Sequence, residues 1–138
     1  MSEFAVGDEL PTVSFRLTRE TLVRYAGASG DFNPIHYSDH QAGRLGLPGV
    51  IAHGMLTMAL SLRAVTDWAG DPAKVTGCFT RFTRPVPVPD DDAGAELTVA
   101  GKVSKIDSGV ATVQLDVRCG EEKVLGMATA EVLIEERS

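Results

Sequence analysis

The residues best suited to chemistry in this chain fall in two short stretches, "GDFNPIH" from Gly30 to His36 and "IAHG" from Ile51 to Gly54. In the first, Asp31 and His36 flank an Asn-Pro turn, so their side chains can converge on one small volume. A carboxylate beside an imidazole is a proton-transfer pair. Histidine titrates near neutral pH, and the carboxylate can fix its tautomer or share its water. Asn33, restricted to extended conformations by Pro34, suits a backbone hydrogen bond that shapes the loop. Taken singly, Asp31 reads as a turn or cap residue and His36 as a packed loop histidine. Their pairing is what points to catalysis.

The second stretch supplies what a proton pair lacks. His53 and Gly54 open an apolar helix, and helix N-termini present unpaired N–H groups at the positive end of the dipole. Glycine there lets a substrate oxygen approach the backbone closely. Such donors stabilise a carbonyl oxygen that gains negative charge. Alone, Gly54 could merely permit tight packing, with His53 a plain helix-terminal residue. Together the two stretches describe a carbonyl polarised at Gly54 and a proton moved at the adjacent carbon by Asp31 and His36. Addition or removal of water across a conjugated double bond fits that arrangement. It needs no cofactor, and no Gly-rich phosphate loop, motif lysine or reactive cysteine is present.

The elements that must position these residues follow from periodicity. "TVSFRLT" (Thr12 to Thr18) alternates as a strand, and Thr18 caps a helix through "RETLVRYAGAS". Gly27, Gly30 and Asn33-Pro34 end that helix and open a long irregular stretch to about Gly49. From Gly54 to Ala69 the chain is apolar almost all round, which predicts a helix buried by a sheet or by an oligomer interface. Gly70-Asp71-Pro72 stops it. "KVTGCFTRFTRPVPV" begins a β-rich half and is broken by Pro85, Pro87, Pro89 and Asp90 to Asp92. "AELTVAGKVSKID", "GVATVQLDVRC" and "KVLGMATAEVLIEE" then predict an antiparallel meander. One long helix on one antiparallel sheet is an α+β layer architecture, read as a single domain over 1–138.

Composition narrows the partners. The chain has 138 residues, is 43% hydrophobic and carries a net charge of −6, which argues against nucleic acid or an anionic membrane. No stretch approaches the roughly 18 apolar residues of a membrane helix. "MSEFAVGDEL" resembles neither a secretory signal nor a transit peptide, so a cytoplasmic protein is expected. Arg81 and Arg84, with Lys102 and Lys105, are candidates for a local patch docking an anionic ligand, or ordinary solvated charge. Cys78 and Cys119 read as buried free thiols. His36 and His40 share a metal-pair spacing. Pro34 precedes them and no acidic residue completes the zinc-helix pattern, so no metal is expected.

"YAGASGDFNPIHYSDHQAG" resembles the hydratase motif of the MaoC-like dehydratases, the (R)-specific enoyl-thioester hydratases of hot-dog fold. "GLPGVIAHGMLTM" resembles that motif's continuation into the central helix. The likeness runs on through "DPAKVTGCFTRFTRPVPVPDD" and "GAELTVAGKV". In detail it is similar to the catalytic B subunit of actinobacterial (3R)-hydroxyacyl-acyl carrier protein dehydratases.

The resemblance implies a long central helix wrapped by an antiparallel sheet, with two hot-dog domains side by side. The pair would be a homodimer, or a heterodimer with a related non-catalytic subunit. It implies that Asp31 and His36 hold the water that is added or expelled, that the Gly54 N–H binds the thioester oxygen, and that Asn33 supports them. The substrate would be an acyl thioester of acyl carrier protein or coenzyme A in fatty-acid metabolism. An apolar tunnel must receive its chain, with Leu47, Val50, Ile51 and Met55 as lining candidates that could equally be core.

Two rivals remain. The first is a non-catalytic hot-dog subunit or acyl-thioester binding module, which has no chemical need for Asp31, Asn33 and His36 together. The second is a hot-dog thioesterase, for which the expected helix carboxylate is lacking between Gly54 and Ser61.

Overall fold

The structure, a computed structural model, describes residues 4–134. Its elements run β1 (Glu9–Leu17), α1 (Arg19–Ser29), a 3-10 turn (Pro34–His36), α2 (Asp39–Arg44), α3 (Gly54–Ala69), a second 3-10 turn (Pro72–Lys74), β2 (Val75–Phe82), β3 (Ala95–Asp107), β4 (Val110–Cys119), the two-residue β5 (Glu122–Lys123) and β6 (Leu125–Leu133). The sheet order is β1-β3-β4-β6-β2, antiparallel throughout, with β5 paired to β4. The meander read from sequence is therefore the centre of the sheet, and β1 and β2 are its edges. The predicted last strand extends to Glu136, whose final residues lie outside those described.

The strands form where apolar residues alternate. Leu97, Val99 and Val103 of β3, Ala111, Val113, Leu115 and Val117 of β4, and Ala130 and Val132 of β6 point to one face and are buried, as period-two patterning requires. α3 lies on that face and touches β1, β2, β3 and β6, giving the hot-dog architecture. Its Leu56, Ser61, Ala64, Val65 and Ala69 are buried at helical spacing.

Within this one chain the helix is buried on one side only. Met55 is exposed, and Leu60, Leu62 and Trp68 are only partly covered, because a single sheet layer covers one side of a helix. Cys78 is likewise exposed rather than buried, since it sits on the edge strand β2.

Three local features set the site's frame. Thr18 caps α1 by accepting from Thr21 N, and Gly30 closes it in the left-handed conformation. The stretch expected to be irregular contains α2, capped by Ser38 and pinned by Asp39, whose Oδ1 accepts from Val50 N and Arg19 at 2.9 Å each. The alternating prolines at 85, 87 and 89 leave Val86 and Val88 free to pair inward. Ala52 N donates to Val86 O at 2.9 Å, and Val88 N donates to Val50 O at 3.0 Å. This seam carries the chain into α3.

Candidate active site

His36 is held by the 3-10 turn that Asn33 caps, its Oδ1 accepting from Ile35 N at 3.2 Å. Asn33 thus acts on the backbone, as its place before Pro34 suggests. Ile51 N donates to Ile35 O at 3.1 Å, which ties this turn to the strand leading into α3. His36 Nδ1 lies 2.7 Å from Ile51 O. A carbonyl only accepts, so Nδ1 carries the proton and Nε2 keeps its lone pair. That lone pair faces Asp31, whose Oδ2 is 3.8 Å away. The gap is too long for a direct hydrogen bond and suits one shared oxygen atom between them. Asp31 is held by its own Asx turn, Oδ1 accepting from Asn33 N at 3.2 Å.

Gly54 begins α3, which no side chain caps. The first backbone carbonyl used by the helix is that of His53, taken by Leu56 N and Thr57 N. The earlier amides of Gly54 and Met55 precede the intrahelical ladder. A Cβ at Gly54 would stand 3.0 Å from the Phe82 ring, so the absence of a side chain permits the close approach of β2.

His36, Gly54 and Thr57 share a cleft of about 460 Å³ with apolar walls that include Ile35, Ile51, Met55 and Phe82. Asp31 does not line the cleft; its Oδ2 stands 3.8 Å from the Nε2 of His36, which does. Of the four lining candidates, Ile51 and Met55 border this cleft, while Leu47 and Val50 do not. Val50 is a core residue, 1% exposed, turned inward by the seam, and Leu47 packs after α2, its N–H on Ala42 O. Of the opposite wall, Phe82 to Val86 with Val124 and Leu125, only Arg84 was singled out from sequence. The wall's signal was the proline alternation, read there only as a break.

His53 is 1% exposed. Its Nε2 lies 3.2 Å from the Asp31 carbonyl, and its ring stacks on His36 with centroids 3.7 Å apart and planes at 21°. Burial pushes its pKa below the ordinary histidine value, with the Asp31 carbonyl opposing and the His36 ring reinforcing that shift. Ligand atoms of Asp31, His36 and His53 all lie within 4.8 Å of one another. A metal must lie near the plane of each imidazole that binds it, and planes only 21° apart with centroids 3.7 Å apart meet far beyond metal–nitrogen distance of either ring. The cluster is built for hydrogen bonding rather than chelation.

The basic candidates do not form one patch. Arg81 and Arg84 lie at the end of β2 and beyond it, whereas Lys102 and Lys105 lie on β3, with β4 and β6 between. Arg84 alone borders the cleft, its Nη1 3.4 Å from Glu122 Oε2.

The family description "MaoC like domain" matches residues 3–119. The chain is 33% identical over 112 residues to the 3-hydroxyacyl-thioester dehydratase X of Mycobacterium tuberculosis, covering 75% of this chain and 39% of that protein. A solved MaoC-like dehydratase superposes with a TM-score of 0.91 at 41% identity, covering 95% of this chain and 41% of that one. The unliganded R-hydratase PhaJ1 of Pseudomonas aeruginosa superposes at 0.81 and 28% identity, covering 98% and 84%. The chain thus spans about two fifths of the first two.

Proposed function

The chain belongs to the MaoC-like dehydratase family, and from that premise we propose that it is a hydro-lyase of fatty-acid metabolism. It interconverts a trans-2-enoyl thioester and the (3R)-3-hydroxyacyl thioester within one domain spanning 1–138. The observation that carries this reading is His36, tautomer set by Ile51, its Nε2 facing Asp31 in the cleft where α3 begins.

In the dehydration direction, the Gly54 N–H receives the thioester oxygen and stabilises the enolate charge. His36 Nε2 takes the proton from C2. That proton passes to the C3 hydroxyl, which Asp31 hydrogen-bonds, and the C3–O bond breaks to release water. Hydration is the reverse. The cleft's apolar wall takes the acyl chain, and Arg84 at its border meets the phosphate that coenzyme A and acyl carrier protein arms share.

The partner is a second hot-dog chain or domain. β2 is an edge strand with Phe79, Phe82 and the neighbouring Met127 exposed, and a bare apolar edge calls for a cover. The dehydratase X and the solved MaoC-like dehydratase each contain more than this chain's length beyond the matched part, room for such a unit. The same edge suits a homodimer or a heterodimer.

The test is loss of enoyl-thioester absorbance with crotonyl and longer substrates on coenzyme A and on carrier protein, with and without co-expressed neighbours. Asp31→Asn and His36→Ala should each cost about 10²–10⁴-fold in turnover while retaining the wild-type circular dichroism. Near-wild-type rates in both variants would overturn the proposal. Tight thioester binding without turnover, even with partner chains, would favour the non-catalytic subunit.

A further inference from the structure

Three parts of the site come from three elements: the Asp31 loop after α1, the His36 turn, and the N-terminus of α3. His53 touches all of them. Its Nε2 meets the Asp31 carbonyl at 3.2 Å, its ring face covers His36 at 3.7 Å, and its own carbonyl accepts from Leu56 and Thr57 to start α3. The edge of Tyr25 on α1 closes the other side at 4.7 Å and 67°. We propose that His53 is the positioning residue of the site, whose side chain sets the mutual geometry of the Asp31 carboxylate and His36 Nε2 while its backbone holds them beside the Gly54 amide. This inference rests on the hydratase reading for its catalytic consequence, though not for its structural content.

The bonding state of the ring supports it. The Asp31 carbonyl can only accept, so His53 Nε2 is the donor and Nδ1 carries a lone pair. That Nδ1 is buried with no hydrogen-bond partner among the described residues. Buried polar atoms are rarely left so, and a phenyl ring would fill the same space without the orphan. What phenylalanine lacks is the Nε2–H on Asp31. A second proton on Nδ1 would bury a donor with no acceptor and set a cation against His36. The titratable groups facing this ring are Asp31, His36 and Tyr25. His53 therefore stays neutral while the Asp31–His36 pair exchanges its proton.

Two variants separate the roles. His53→Phe keeps the stack and removes the donor, whereas His53→Gln places an amide N–H near the Nε2 position and gives up the stack. His53→Phe should lower kcat about 10²-fold, the cost of misplacing reacting groups by about 1 Å, with KM for a short enoyl thioester nearly unchanged. His53→Gln should recover about tenfold of that loss. Nitrogen-15 spectra of the wild type should show His53 as the neutral Nε2–H tautomer at neutral pH, a readout independent of turnover. A kcat in His53→Phe within about threefold of wild type, equal losses in both variants, or an Nδ1–H or doubly protonated His53 would overturn the proposal. Should His53→Phe not fold, the Gln variant and the spectra still decide it. If the wild type hydrates no thioester, the functional reading fails alone, and the spectra still test the placement of His53.

Discussion

At the scale of single residues, the site depends on hydrogen bonds that leave one choice of tautomer. Ile51 O gives His36 a free Nε2, and Asp31 O gives His53 a donating one. The His53 shift has a consequence for stability. Its folded value lies below the ordinary 6.5, so under acidic conditions the unfolded chain binds a proton that the native chain does not. Stability then rises with pH. The contribution is complete above about pH 6.5 and is lost as pH falls through the depressed value. Thermal melting followed from neutral to mildly acidic pH should show this slope, and His53→Phe should flatten it whatever its absolute melting temperature.

Gly54→Ala tests the other half of the site. The added Cβ would crowd only the movable Phe82 ring, so the fold should survive. Hindered approach to the amide should cost about 10²-fold in kcat. Gly54→Ala with Phe82→Leu should restore packing but not rate if the amide is what matters. These roles were readable as residue types and spacing. The stacking of His36 on His53 was not, because it joins residues from different elements.

At the scale of elements, the cap and the pins carry the loop that holds Asp31. Thr18→Ala removes the acceptor for Thr21 N and should destabilise by about 1 kcal/mol in denaturant unfolding. Asp39 has its pKa lowered, first by the Val50 N–H and then by Arg19. Its stabilisation is present above the unfolded carboxylate value and is lost as pH falls below it. Asp39→Ala should therefore lower the melting temperature at neutral pH and erase part of the acid-side slope. The bounds of α1, α3 and β3 were legible from caps, terminal glycines and alternation, although Gly27, read as a stop, lies inside α1. α2 was missed, because six residues opened by a lone serine cap are too few for a periodic signal.

At the scale of the whole molecule, the proposed assembly through the exposed edge at β2 has a direct test. Phe79→Glu with Met127→Glu should convert a dimer to monomer in light-scattering chromatography and lower activity with it, since Phe82 beside that edge also walls the cleft. Arg84→Ala should raise KM for a coenzyme A thioester by severalfold, about what one exposed ion pair supplies. It should leave a short thioester lacking the phosphate unaffected.

Local patterning in the chain is enough for the α+β layering, the long helix from Gly54 to Ala69, the strand faces, and the residue types able to move a proton and receive an oxyanion. Periodicity and caps act within a few residues, and a single chain records them fully. It took the folded arrangement to show that Val50 turns into the core while Ile51 faces the cleft. It also took that arrangement to show that Phe82 to Val86 form the far wall, and that His53 bridges Asp31 and His36. Those facts depend on which strand edges meet, and on prolines that choose the edge by lacking a donor. Contacts between residues remote in sequence set them, and no local pattern encodes those contacts.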